Sequence, residues 1–532
     1  MQNILSILFA LVMSAALSAQ NTLIPDKNFE QTLINLGHDA VIDGLVTTKN
    51  INTLSNLDVS NKSIGDLSGI EDFTSLTTLY CNGNQLSSID LSSLDSLKDL
   101  RCYNNQLNSL VLTKNTALDA LSCYNNRIQR LDLSVNDALS YLNCSNNNLV
   151  SLDVRSSVLN QLIFYNNPRL GAVTCNNTPL KSIDLTQNTA LTFLYCTGNQ
   201  FTSLDVTKNT ALTYLNCVGN ILTNLDITQN TALTTLFCSD NQLTNLDITQ
   251  NTALTDLYCS NNLLTRIDLS NLDSLKKLTC INNQLSSLDV TQNSALTSLS
   301  CNNNRLTSLN LTQNSALTDL RCHVNQLTSL NTAENAALKN IYCYENQLTR
   351  LDLTQNSALD VLACRNNLLK ALDLTKNTAL TRITCQSNPS LTSLDIANGN
   401  NTIITNFSAL FCENLTCIKV DDDAYSQANW TKIGSQSYFS KDCSLGIQDN
   451  ANNFSNLSVY PNPTHGNFAI DLGKIKTELY ITLSNNMGQV LFNRYFESAS
   501  IVHFNLETPA GIYFLRVASL NGEQKVLKVV IE

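Results

Sequence analysis

Cysteine recurs at one fixed interval, step 21, through most of this chain: at Cys81, Cys102, Cys123 and Cys144, and then without a miss from Cys175 to Cys385. Around each one the apolar residues hold the same slots. For Cys238 they are Leu233, Leu236, Leu243, Leu246 and Ile248, and Asn241 and Asn251 follow the cysteine at fixed distances. The unit is itself double. L-x-x-L-x-C-x-x-N and L-x-x-L-D-L-x-x-N are two versions of one phrase, ten and then eleven residues apart. Each half alternates apolar residues and then bends through polar ones, which predicts a short strand and a turn, twice per coil. A unit this short cannot bury its own apolar face, whereas stacked copies can. The expected fold is all-β: a parallel β-solenoid over residues 76–396, filled with Leu, Ile and Cys.

Stacking decides the chemistry of the sulfurs. Coils repeat at about 4.8 Å, so each inward cysteine sits on the next, but parallel neighbours aim their Cβ atoms the same way rather than at each other. The fifteen ladder cysteines therefore read as small buried apolar groups carrying thiols. No His or carboxylate shares their face, so no metal ladder is expected. The Asn columns read as structural, because Asn tolerates left-handed backbone and its amide can bond turn groups in the coils above and below. Between Cys144 and Cys175 the strand centres Val154 and Phe164 give an odd number of half-units. If each half-unit is half a turn, the cysteines from Cys175 onward lie on the opposite face from Cys81–Cys144. The alternative is a loop bulging out around Asn167-Pro168, with one straight column. Cys81 to Cys385 spans 29 half-steps, or roughly 70 Å of rod at the inter-strand spacing.

The ends differ from the repeats. Ile4–Leu17 is apolar and small residues follow in SAALSAQ, the pattern of a signal peptide over 1–19, although MQNIL carries no Lys or Arg. No Cys follows for a lipid anchor, and no later segment reaches the ~20 apolar residues of a membrane span. The 32 Lys plus Arg against 43 Asp plus Glu argue against nucleic acid and against an anionic membrane. An exported monomer is expected. Residues 444–456 are polar and lack the repeat, so they read as a linker. About seven short alternating strands follow over 457–532, with turns at NPTHG, NNMG, TPAG and NG, as in a small Ig-like β-sandwich.

No catalytic set is present. His38, His323, His465 and His503 are scattered, and there is no H-E-x-x-H, G-x-S-x-G, Walker loop or G-x-G-x-x-G. His323, next to a ladder cysteine, reads as a solvated turn residue. No enzyme activity, cofactor or metal is expected. A column of carboxylates runs beside the ladder. Asp184, Asp205, Asp226, Asp247, Asp268 and Asp289 face outward at step 21, then Asn310 and Asn331 interrupt, then Asp352 and Asp373 resume. Stacked carboxylates repel, which a cation would relieve, but the glycine-rich calcium-roll sequence is missing. Both a structural and an ion-binding role stay open. Phe193, Tyr195, Tyr214, Phe237 and Tyr258 flank the ladder strands on four successive coils. Outward aromatics in one patch mark a contact surface, or else merely decorate strand exteriors, where aromatics are favoured.

The repeat LxxLxCxxNxLxxLDLxxN resembles the bacterial 21-residue leucine-rich repeat with a nested half-repeat. The resemblance implies an N-terminal helical cap in 20–75, where Ile24–Gly37 has Asp26 as N-cap and Gly37 as stop, and a C-terminal cap in 397–443. Cys412, Cys417 and Cys443 lie off the ladder in that cap; a Cys417–Cys443 disulfide is expected, which leaves Cys412 as a thiol. The end of the chain looks like the sorting domain of type IX secretion cargo in the Bacteroidetes. The motif runs through Pro461, Asn462, Pro463 and Gly466, then Gly488, then Gly511 and Tyr513, then Lys525 and Lys528. This implies export to the cell surface by the type IX machinery, with the domain then removed and the protein anchored or released. The expected function is a secreted or cell-surface binding or adhesion protein that displays a rigid face to a protein or glycan ligand. A surface component with no specific ligand is the rival reading.

Overall fold

The computed structural model describes residues 20–156, 158–443, 457–519 and 524–532, so the expected signal peptide (1–19) and the expected linker (444–456) lie outside the described residues. One compact unit holds Met1–Leu369 with Lys376–Asn388, and a second holds Lys370–Thr375 with Pro389–Glu532.

In the first unit each Cys-bearing phrase forms a three-residue strand centred two residues before the cysteine, as in Thr235–Phe237 before Cys238. The central Leu236 and the following Cys238 are fully buried, because alternation aims both at the interior. Successive strands pair in parallel with no slip, Leu236 facing Leu215 on one side and Leu257 on the other. The L-D-L phrases depart from expectation. Most form no strand; the chain turns at once, with Thr249 N donating to Asp247 Oδ1 and Asn251 N to Ile248 O. That tight turn replaces the ladder, so most coils share a β-ladder with their neighbours along one side only.

The odd half-unit does shift the phase. Tyr141–Asn143 pairs with Gln161–Ile163, and Ser151–Asp153 pairs with Ala172–Thr174. One sheet therefore runs from Asn56–Asp58 to Gln161–Ile163, and within this unit a second begins at Ser151–Asp153 and continues through Arg382–Thr384. Phe164 continues the column of Cys81–Cys144, and Val154 begins the column of Cys175. The cysteine column is not straight, and nothing bulges out at Asn167-Pro168.

Asparagine sutures the coils. Asn262 Nδ2 donates to Cys259 O in its own coil and to Cys238 O in the preceding one, while its Oδ1 accepts from Leu243 N. On the other side Asn251 Nδ2 donates to Ile227 O and Asn230 O. These amides reach back to one neighbour, not to the coils above and below. The left-handed residue is also one place earlier than expected, two after each cysteine: Asn104, Asn125, Asp240, Asn261, Asn282 and Ser387 all have positive φ. Val324 (φ 53°) and Glu345 (φ 54°) take the same slot, where side chains other than Asn, Asp or Gly are costly. The N-terminal cap helix Lys27–Asn35 starts at Asp26, whose carboxylate accepts from Asn28 N and Phe29 N.

In the second unit Ala371–Asp373, Ser393–Asp395, Cys417–Lys419 and Tyr438–Ser440 form a four-stranded parallel sheet, and Cys417 is bonded to Cys443 with Cα atoms 5.7 Å apart. From Leu457 onward, five strands form among the described residues rather than the seven expected. Asn467–Asn485 and Val490–Asn505 each run continuously across a position where a break was expected, with register irregularities between Asp471 and Lys476 and between Leu483 and Ser484. Bulges let a long hairpin bend without ending its ladder. Phe468, Ile470, Leu479, Ile481, Leu483, Leu515 and Val529 share the resulting core.

The ladder cysteines lie outside any disulfide and are buried. Burial pushes the Cys217 and Cys259 thiols from 9 up to about 12. The unfolded chain releases these protons from about pH 9 and the folded chain holds them to about pH 12. Stability is therefore full below pH 9 and lost as pH rises from there toward 12. Native protein at pH 8 should take up no iodoacetamide on the ladder, and denatured unreduced protein should gain sixteen adducts by intact mass. Adducts on native ladder cysteines would contradict a closed interior.

Candidate functional site

Two columns flank each buried Leu of a ladder strand, and a third lies just past the cysteine; all three face outward. Parallel pairing brings a given column's residues side by side at one coil's spacing, so rings at step 21 are neighbours. Phe193, Tyr195, Tyr214, Phe237 and Tyr258 do form one strip. Tyr214 lies 4.7 Å from Tyr195, 6.2 Å from Phe193 and 5.6 Å from Phe237 between ring centroids; Phe237 stacks on Tyr258 at 4.3 Å and 2°. Phe193, at one end, is 42% exposed. Burial, then the Tyr195 ring, raises the Tyr214 phenol, so it stays a neutral donor. At the far end Lys277 pairs with Asp256 at 3.6 Å.

A second cluster on the same sheet goes beyond the sequence reading. His323 is half-buried rather than solvated and stacks on Tyr344 at 4.1 Å; the Arg365 guanidinium covers Tyr344 at 4.0 Å and pairs with Glu345 at 2.8 Å. Arg321 binds Asp319 at 2.9 Å and lies over Tyr342 at 5.1 Å. Burial first, and then Arg321, lowers the His323 pKa, so the imidazole is neutral at pH 7. The signal was present in sequence: His323, Tyr344 and Arg365 follow one another at step 21 in the column just past the cysteine. The first sheet carries its own rings, Tyr103 on Tyr124 at 4.3 Å and Arg101 over Tyr80 at 4.1 Å.

The Asp column closes turns. Asp184, Asp205, Asp247 and Asp289 each accept from the backbone N–H and hydroxyl of the Thr two residues on. These bonds hold their carboxyls below the usual range. A cleft of about 440 Å³ lies over Asp247, Asp268, Asp289 and Arg266. Among the described residues no group of three or more His, Cys, Asp or Glu is arranged to hold a metal ion.

Several of the expected sorting-motif residues lie on or pair with the terminal strand Gln524–Ile531, while Gly466 and Gly488 lie elsewhere in the domain. Asn462, between Pro461 and Pro463, donates to Lys528 O at 2.7 Å and accepts from Val530 N at 2.8 Å. Gly466 has φ 98°, and a Cβ there would sit 2.4 Å from Leu506 O. Gly488 has φ 82° in the turn after Asn485. Gly511 pairs with Ile531, Tyr513 is buried with its hydroxyl on Pro509 O at 2.7 Å, and Lys525 and Lys528 pair with Val517 and Phe514. The motif thus builds a domain that clasps its own last strand.

Residues 458–532 match the family described as the secretion system C-terminal sorting domain. Internalin J of Listeria monocytogenes is 37% identical over 72 residues, 14% of this chain and 8% of that protein, so the match spans a small part of either. Among solved structures, the functional domain of InlJ from Listeria monocytogenes, described as including a cysteine ladder, is 28% identical over 97% of this chain and 99% of its own, with a TM-score of 0.47. A leucine-rich repeat protein of Leptospira interrogans is 22% identical over 60% of this chain and 92% of its own, with a TM-score of 0.37.

Fold and motif together define the class: a leucine-rich repeat solenoid protein with a cysteine ladder. It carries a type IX secretion C-terminal sorting domain, which makes it a secreted or outer-surface protein. No helix among the described residues is long and apolar enough to cross a membrane.

The clash at Gly466 sets a direct contrast with Gly511, where an added Cβ meets nothing closer than 3.7 Å. Gly466→Ala should destabilise the sorting domain by about 2–3 kcal/mol. Gly511→Ala should cost under about 1 kcal/mol. Calorimetry of the full chain reads both, and equal shifts would count against the close approach of Leu506 O to Gly466.

Proposed function

We propose that this protein is a surface adhesin or receptor-like binder that holds a protein or glycan ligand against the aromatic strip Phe193–Tyr258. One observation carries the reading: five outward rings on four successive coils form a continuous, partly exposed strip toward the Ser151–Asp153 end of a long sheet. Contiguous exposed aromatic surface is what contact patches are made of, and its rings are already ordered, so binding costs little side-chain entropy. Type IX export brings such a face outside the cell. The strip supplies no nucleophile, acid–base pair or metal, so the proposed mechanism is display and not turnover.

A protein array and a glycan array probed with the chain from Asn21 to Cys443 test this. Tyr195→Ala combined with Tyr258→Ala should weaken any specific signal by about ten- to a hundredfold, the range for two aromatic anchors. Specific binding that survives the double substitution would move the site elsewhere. No saturable binding on either array would favour a purely structural surface component. Deleting 458–532 should leave the protein inside the outer membrane, read by cell fractionation.

A further inference from the structure

One coil step in the first unit lacks the sutures that the others have. Elsewhere in the described repeats each coil reaches back to its predecessor through at least one Asn amide, three or thirteen residues after its cysteine, or after Phe164 in the coil that lacks one. The coil at 172–188 follows the half-unit shift and has neither. Thr178 takes the first position; its hydroxyl bonds Cys175 O in its own coil and Asn199 Oδ1 in the next. Asn188 takes the second position, but the phase change has placed Phe164 and Asn167 behind it instead of an L-D-L turn. Asn188 is 1% exposed, and neither its Nδ2 nor its Oδ1 has a partner. Backbone pairing is one-sided at the same step. Ser151–Asp153 bonds Ala172–Thr174, while Gln161–Ile163 is the last strand of the first sheet and residues 182–184 form none.

We propose that this step is a hinge. The strand pair Ser151–Asp153 and Ala172–Thr174 is its axis, and the solenoid opens on the side of Asn188. Solenoid cohesion is a sum of nearest-neighbour interfaces, so the step with the fewest bonds opens first. The buried side chain fits an opening edge: the amide of Asn188 gains partners from water only when the edge parts. The hinge separates two displays. Tyr103 and Tyr124 lie on the first sheet before it, and the strip that starts at Phe193 lies on the second sheet one coil after it. Bending at the seam changes the angle between these two surfaces, which lets one rigid-walled molecule fit ligands of different curvature.

Hydrogen exchange of the intact chain, followed by mass spectrometry, tests this. The amides of Asn188 and Leu191, bonded to Leu185 O and Asn188 O, should exchange at least about tenfold faster than their counterparts Asn251 and Leu254 in a fully sutured coil. Equal rates overturn the proposal. Thr178→Asn should restore a suture and slow exchange at Leu191. Because that side chain has to find room, the converse variant is made as well. Asn251→Leu should raise exchange at Leu254 toward the rate at Leu191 and leave Leu191 unchanged. If Leu254 is unaffected, the amides do not hold the coils together and the hinge has no basis.

Discussion

A coil this short, with leucine and cysteine hidden inside it, must also satisfy the carbonyls and N–H groups of its turns, and it has almost no secondary structure of its own with which to do so. The Asn amide solves this. It is small enough to sit inside a turn, and it carries a donor and an acceptor fixed in one plane. Asn262 closes its own bend, reaches the bend before it and receives Leu243 N, so one side chain joins two coils. Everything else in the solenoid depends on that join. It sets the turn, the turn sets the strand, and the strand aims Leu and Cys inward. Where the join is missing, at Thr178 and Asn188, the structure has a seam.

The same regularity explains why so many cysteines are compatible with an exported protein. Thiols held at one coil's spacing and pointing in one direction are neighbours that do not meet, and burial keeps them protonated. Oxidation is confined to Cys417–Cys443, which lies off the ladder. Sulfur thus has two roles in one chain, filler in the repeats and crosslink in the cap. The interior is uniform, so the outward columns are free to vary. Rings cluster there by the arithmetic of the repeat: two aromatics one full repeat apart in a ladder column are neighbours.

Much of this is legible in the residues alone. Alternation and the constant cysteine step specify the solenoid, and the aromatic strip follows from counting columns. Sequence and structure part company where the competing physics is local. The amide-bearing Asn is the natural candidate for left-handed backbone, but the bend places it one residue earlier, at Asn261 rather than Asn262. The L-D-L phrase alternates like a strand, yet Asp247 bonds Thr249 and turns the chain instead. A lone histidine in a turn is usually solvated; the stacking of His323 on Tyr344 shows only when the column is read across coils. The breaks expected in the sorting domain are bulges, which polar residues mark just as they mark turns.

By itself the sequence determined the repeat, the inward cysteines and the capping helix at Asp26, because each is written in residues close together along the chain. Only the tertiary structure decided which of two outcomes followed from the odd half-unit after Cys144. A half-turn shift and a looped-out bulge use the same residues. Strand pairing across coils chose between them, matching Leu142 with Leu162 and Leu152 with Val173. That choice put Phe164 in a cysteine column and left Asn188 without its partners. Its physical reason is a balance between neighbours in adjacent coils, far apart along the chain, and no local pattern records it.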